Sequence, residues 1–253
     1  MPCGTPRRSI AAAVGRCGAR NLARIASYGP HFGEEQALVG WQGSGTVFFS
    51  GCKPTCIYCQ NASISQEREG TEVSDRQLAG ISLEIQRRGC HNLNLVTPTP
   101  HAAAIARALA EAAHTGWSIP IVWNCGGYES VEVLRCLDGV VDVYMPDIKY
   151  GDDGTALRMS GIEEYVARSR EAVREMFRQT GNLMIDAGGL EGTDSVLRFL
   201  ANDVSPGTAV HVMSQYRPCY RANEIPVLRR RVSRTKSAQA LQRAEALGLR
   251  LIA

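Results

Sequence analysis

The sequence predicts an α/β protein, and three observations carry that prediction. Short apolar runs of strand character recur from Thr46 onward, longer segments with apolar residues near helical spacing fill the intervals, and the residues just after each run are polar. Strands separated by helices at regular intervals imply a parallel sheet with right-handed crossovers, either an open doubly wound sheet or a partial barrel. In both, ligands gather at the carboxyl ends of strands, so the polar residues that follow each strand are the place to look for a site. The chain has 253 residues, 44% of them hydrophobic, enough to bury the core of one such domain.

Residues 1–45 read as an irregular lead-in, rich in small residues and in the turn-forming stretch Ser27-Tyr28-Gly29-Pro30-His31-Phe32-Gly33. Cys3, Cys17, His31, Glu34 and Glu35 read there as incidental or packing residues. The domain then runs over 46–253. Its strand candidates are 46–49, 93–97, 119–124, 140–145, 183–186 and 209–213, and its helix candidates are 74–88, 101–114, 130–137, 162–180 and 193–202. A last amphipathic helix at 237–249 packs on the sheet.

The loops after the strands carry the chemistry. They are the cysteine stretch Cys52 to Cys59, then Thr97-Pro98-Thr99-Pro100-His101, then Asn124-Cys125-Gly126-Gly127-Tyr128-Glu129. Pro146-Asp147-Ile148-Lys149-Tyr150, Asp186-Ala187-Gly188-Gly189 and Ser214-Gln215-Tyr216-Arg217-Pro218-Cys219-Tyr220 complete the set. The spacing Cys52-x3-Cys56-x2-Cys59, bent by Gly51 and Pro54, lets three thiolates converge on one soft metal centre. No fourth cysteine follows nearby. A closed zinc site wants four protein ligands, whereas a four-iron cluster held by three thiolates keeps one iron open; zinc or plain buried thiols are the alternatives.

Composition excludes several classes. A formal net charge of +3 does not call for nucleic acid or a membrane surface, and the one basic run, Arg229, Arg230, Arg231, Arg234 and Lys236, reads as solvated surface. Nine cysteines, three in metal-type spacing, argue against a disulfide framework and for a reducing cytoplasm. No apolar run is long enough to span a bilayer, and 10–14 is too short for a signal-peptide core.

The cysteine spacing, with Tyr58 just before the third cysteine, resembles the cluster motif of the radical S-adenosylmethionine (SAM) superfamily. Further stretches resemble its pyruvate formate-lyase activating enzyme-like branch: Phe32-Gly33-Glu34-Glu35, Gly43-Ser44-Gly45-Thr46, Phe49-Ser50-Gly51-Cys52, Cys59-Gln60-Asn61, Asn94-Leu95-Val96-Thr97-Pro98-Thr99, Gly127-Tyr128-Glu129-Ser130, Pro146 to Tyr150 and Gln215 to Tyr220. The resemblance implies a partial (β/α)6 barrel with parallel strands, in which Cys52, Cys56 and Cys59 bind a 4Fe-4S cluster. SAM chelates the open iron, and an electron from a donor such as flavodoxin or ferredoxin releases a 5′-deoxyadenosyl radical that takes a hydrogen atom from the substrate. Tyr58 is implied against the adenine and Lys149 beside the SAM carboxylate, where an ammonium neutralises charge. The alternative for Lys149 is a surface pair with Asp147. Thr97, Thr99 and Asn124 are the remaining cofactor-binding candidates, the two threonines standing where the superfamily has a Gly-Gly-Glu signature.

Two departures separate this sequence from the branch. Gly181-Asn182 and Asp186 stand where other members carry Arg-His and a proline around the fifth strand, and only Cys17-Gly18-Ala19 matches their extra paired cysteines. The departures favour a specialised member. The branch includes antibiotic-pathway tailoring enzymes resembling the epimerase of orthosomycin oligosaccharides, so the favoured reading is epimerisation of a saccharide or other small molecule. The alternative is an activase that installs a glycyl radical on a partner enzyme; an iron-sulfur electron carrier has no use for the open iron. An epimerase needs a hydrogen donor on the opposite face, and a thiol suits because its S–H bond is weak. Cys219 is the candidate and Cys125 the runner-up, with a small buried apolar thiol as the alternative for each. Asn124, Tyr128, Glu129, Asp186 and Arg217 supply hydrogen bonds for a hydroxyl-rich substrate.

Overall fold

The structure, a computed structural model, describes residues 15–181, 183–188 and 192–252. Cys3, Asn182 and Gly189 lie outside the described residues. Contacts group the chain into two units, one holding residues up to Lys53, Ser63–Cys125 and Gly139–Asp142, the other Pro54–Ala62, Gly126–Asp138 and everything from Val143 on.

The first unit carries β1 (Ala23–His31), β2 (Ser44–Phe49), β3 (Thr71–Val73), β4 (Leu93–Val96) and β5 (Ile121–Cys125), in the order β3-β1-β2-β4-β5. The run β2-β4-β5 is parallel, while β1 is antiparallel to both β2 and β3. Between the parallel strands run the helices Asp75–Arg87 and Ala102–Ala113. Ser74 starts the first with a capping box, accepting from the Gln77 N–H while Gln77 reaches back to the Ser74 N–H. Val47, Phe49, Leu93, Leu95 and Trp123 are all but inaccessible to solvent, as are Ile85 and Ile105 of the helices. Alternation along each strand puts these apolar residues on one face.

β1 corrects the reading of 1–45 as an irregular lead-in. Gly29-Pro30 looks like a strand breaker, yet β3 pairs only with Ala23 to Ile25. At Pro30 that edge is unpaired by β3, and the missing N–H costs no ladder bond.

The second unit carries β6 (Val143–Ile148), β7 (Met184–Gly188), β8 (Ala209–Met213) and β9 (Arg250–Leu251), all parallel and in that order. Helices Asp153–Ser160 and Tyr165–Thr180 separate β6 from β7, Thr193–Phe199 with a π-helical turn Leu200–Val204 leads to β8, and Arg234–Ala246 leads to β9. Tyr165, Ser169, Ala172, Val173 and Met176 form the buried stripe of the long helix, at the spacing an amphipathic helix needs. The strand expected at 140–145 begins three residues later, because Val140 to Asp142 approach β5, where Asp142 accepts from the Ile121 N–H at 2.8 Å. Among the described residues no helix is long and apolar enough to cross a membrane.

Candidate functional site

Within the second unit the segment Pro54–Ala62 is an irregular loop tied to the carboxyl end of the helix Asp153–Ser160. The N–H of Thr55 donates to the Ser160 carbonyl at 3.0 Å and that of Ile57 to the Met159 carbonyl at 3.0 Å. The helix ends there because Gly161 takes the left-handed conformation at φ 61°, and it begins where Asp152 accepts from the Thr155 N–H at 2.8 Å. Docked this way, the loop turns Cys56, Tyr58 and Cys59 into a cavity of about 300 Å³.

The opposite lining comes from strand ends, as the parallel arrangement requires. Asp147 and Lys149 follow from β6, Asp186 from β7, and Met213, Gln215 and Tyr216 from β8. The register aligns Asp147 with Asp186 and Asp186 with His211, so three polar residues lie side by side across three strands. His211 Nδ1 stands 3.4 Å from Asp186 Oδ1.

A hydrogen-bonded chain runs behind the cysteine loop. Ser160 Oγ donates to Cys56 Sγ at 2.9 Å, Tyr150 OH bonds to Ser160 Oγ, and Tyr58 OH bonds to Tyr150 OH at 2.6 Å. The Tyr58 ring also meets Tyr216 edge to face, with centroids 6.2 Å apart. Tyr58 is therefore fixed at both its hydroxyl and its ring. Burial pushes the Tyr58, Tyr150 and Tyr165 phenols up, so all three stay neutral. Burial likewise raises the Cys56 thiol, against the lowering pull of Lys149 and Ser160.

Lys149 Nζ pairs with the Asp147 carboxylate, and both side chains are about three-quarters covered, at 25% and 29% exposure. Burial works to depress the ammonium, but Asp147 and the Cys56 sulfur overcome it and hold Lys149 above the usual lysine range. The pair thus belongs to the cavity wall, and Lys149 stays charged there. Behind it, the Lys149 N–H donates to Tyr165 OH at 2.9 Å. Gly127 sits at φ +71°, and a Cβ there would lie 2.8 Å from the Asp147 carbonyl oxygen, so this approach requires glycine.

Cys219 is half-buried on the loop after β8, and is not among the residues lining the cavity. Its carbonyl accepts from the Ala222 N–H at 3.0 Å. Cys52, Thr97, Thr99, Asn124 and Cys125 belong to the first unit. Cys52 is half-buried beyond the end of β2, where Gly51 takes φ +87° and a Cβ would strike the Cys17 carbonyl at 2.2 Å. Thr97 ends β4 at φ 57°, a left-handed conformation that a β-branched residue adopts only at a cost of about 1–3 kcal/mol, and its N–H donates to the Asn124 carbonyl at 2.9 Å. Thr99 opens a short 3-10 turn, Asn124 lies in β5, and Cys125 is buried at 2% exposure.

Sequence reasoning missed Ser160 and the partnership of Tyr150 with Tyr58. The available signal was Asp152 followed nine residues later by Gly161, a helix start and stop around the unassigned segment 153–160.

Thiol, tyrosine, ammonium and carboxylate groups thus line one cavity at the parallel strand ends of an α/β protein. No protein-family model matches the chain. It belongs to the family of the uncharacterized protein MJ0674 of Methanocaldococcus jannaschii, to which it is 32% identical over 234 residues, covering 88% of this chain and 67% of that protein. A structure of TYW1 with a lysine-pyruvate adduct bound aligns at TM-score 0.38 and 14% identity, over 61% of this chain and 59% of that one. A Bacteroides thetaiotaomicron protein provisionally assigned as an alpha-L-fucosidase aligns at TM-score 0.42 and 11% identity, over 92% and 88% of the two chains. At these TM-scores neither structure bears on the fold or activity of this chain.

Proposed function

We propose that the protein is a radical SAM enzyme, with the partial barrel that this class implies, in which Cys52, Cys56 and Cys59 hold a 4Fe-4S cluster. The observation that carries the reading is the placement of Cys56 and Cys59 with Tyr58 and Lys149 on the walls of one cavity. The donor set fits the group: two sulfur atoms from one bent loop face the cavity, and Ser160 gives Cys56 the hydrogen bond that a cluster thiolate accepts. When bound, the cluster and SAM supply the one-electron chemistry that removes a hydrogen atom from a substrate carbon.

The chain's own residues bind and orient. Lys149, kept charged by Asp147, offers an ammonium to the SAM carboxylate, and the fixed ring of Tyr58 offers an apolar face to the adenine. Thr97, Thr99 and Asn124 are assigned to SAM from their strand-end positions. An external donor of the flavodoxin or ferredoxin kind supplies the electron.

The favoured outcome is epimerisation of a saccharide or other small molecule, with Cys219 as hydrogen donor. Its S–H bond breaks as the new C–H bond forms, and the sulfur radical left behind needs one electron and one proton to regain the thiol. In the activase alternative no donor is needed, and a persistent radical appears on a second protein. Cys219→Ala separates the two. An epimerase variant still makes 5′-deoxyadenosine but no epimer, and the wild-type product carries solvent deuterium at the inverted carbon. Full product formation by the variant rules out Cys219 as donor.

A further inference from the structure

We propose that the substrate is a small molecule carrying a phosphate group, held by Arg230, Arg231 and Lys236 in a second cavity that shares walls with the first. The substrate assignment rests on the radical SAM reading; the anion site does not. This second cavity, of about 670 Å³, lies in the same unit, and Met213, Tyr216 and Val232 line both. Together they have the dimensions of a small-molecule site. The shared residues make the two cavities neighbours, and in this proposal a ligand anchored in the larger one presents its reacting carbon to the thiol- and lysine-lined one.

Charge selects the ligand. Several arginines of this unit are matched with carboxylates: Arg178 with Glu175 and Asp138, Arg174 with Asp203. Arg230, Arg231 and Lys236 make no ion pair among the described residues, although all three line the cavity. The one carboxylate in the lining, Asp194, is taken up by Arg198 and Arg243, which hold it below the usual carboxylate range. The net field in the cavity is therefore positive.

Local stability does not account for this arrangement. The helix Arg234–Ala246 has Ser233 as its cap and no acidic residue in its first turn, where Arg234 and Lys236 stand instead. Cations there oppose the helix dipole, which favours negative charge at that end. A phosphate between the arginines and the first turn relieves both repulsions, and arginine matches its oxygens with two parallel hydrogen bonds. The basic run is exposed, as expected of solvated surface, and three of its residues, Arg230, Arg231 and Lys236, also line this cavity.

Pyrophosphate is the probe, titrated calorimetrically into the full chain at low salt. Wild-type protein binds it once per chain, more weakly as salt rises. R230Q/R231Q weakens binding by about tenfold or more, and K236Q moves the same way, since each removes a charge-assisted hydrogen bond. The control R87Q, on an exposed helix face of the first unit, leaves it unchanged. Both target arginines are exposed, and thermal melting checks that the variants fold. Absence of saturable binding, or equal affinity in wild type and R230Q/R231Q, overturns the site. Tighter binding of a single-stranded oligonucleotide than of pyrophosphate overturns the small-molecule assignment. The same titration on C56A separates the two readings, because pyrophosphate binding persists there whether or not the protein carries iron.

Discussion

The two cavities of the second unit share three wall residues, yet they handle charge in opposite ways. In the smaller, polar groups are partnered: Lys149 pairs with Asp147, Asp186 stands beside His211, and Ser160 donates to the Cys56 sulfur. In the larger, Arg230, Arg231 and Lys236 face the space without an ion-pair partner among the described residues, since the lining carboxylate Asp194 is held by Arg198 and Arg243. Matched charges in a covered wall build a fixed site whose geometry outlasts ligand loss. Unmatched charges in an open wall are solvated until an anion arrives, and they set which ligand is attracted more than how it is positioned. In the function proposed above, the first cavity is the place for chemistry and the second the place for selection.

Substitutions in the smaller cavity sharpen this contrast, and the largest effect comes from the sulfur ligands. C56A lowers iron from about four per chain to background after anaerobic reconstitution. R230Q/R231Q keeps full iron. Iron loss in both variants, read by metal analysis, breaks the division of labour between the cavities.

Next in size is K149A. Removing the ammonium weakens SAM binding by about tenfold while iron content stays unchanged, as expected for loss of a charge-assisted contact. Equilibrium binding of SAM to reconstituted protein is the measurement. Unchanged affinity returns Lys149 to a purely structural pairing with Asp147.

The smallest effect belongs to S160A. The Ser160 hydrogen bond stabilises negative charge on the Cys56 sulfur, so its loss disfavours the reduced cluster and lowers the reduction potential. A bond worth about 1 kcal/mol corresponds to a shift on the order of tens of millivolts for one electron. Redox titration of the visible absorption reads it, and an upward shift contradicts the hydrogen-bond direction assigned here.

What was legible in the sequence follows from which forces act locally. The six strand candidates appear because runs such as Val47-Phe48-Phe49 and Ala209-Val210-His211-Val212-Met213 have strand composition and are buried by the same pattern that reveals them. β1 was hidden because its fitness depends on pairing: Pro30 is tolerable only where β3 stops short of it. The cysteine loop, Tyr58, Asp147 and Lys149 were legible because strand ends and metal spacing are local signals. Ser160 was not, since nothing in its neighbours announces a sulfur 104 residues away in sequence. The basic run was visible as composition, but that Arg230 and Arg231 line a cavity together with Val212 and Met213 of β8 and Lys236 of the next helix depends on tertiary structure.

The central claim is tested most directly by SAM cleavage. Protein reconstituted under argon and reduced with dithionite is mixed with SAM, and 5′-deoxyadenosine is quantified by chromatography alongside metal content. The account predicts about four iron and four sulfide per chain, and 5′-deoxyadenosine that appears with wild type and vanishes with C56A or C59A. Stoichiometric zinc in anaerobically purified protein, with no 5′-deoxyadenosine formed, contradicts it.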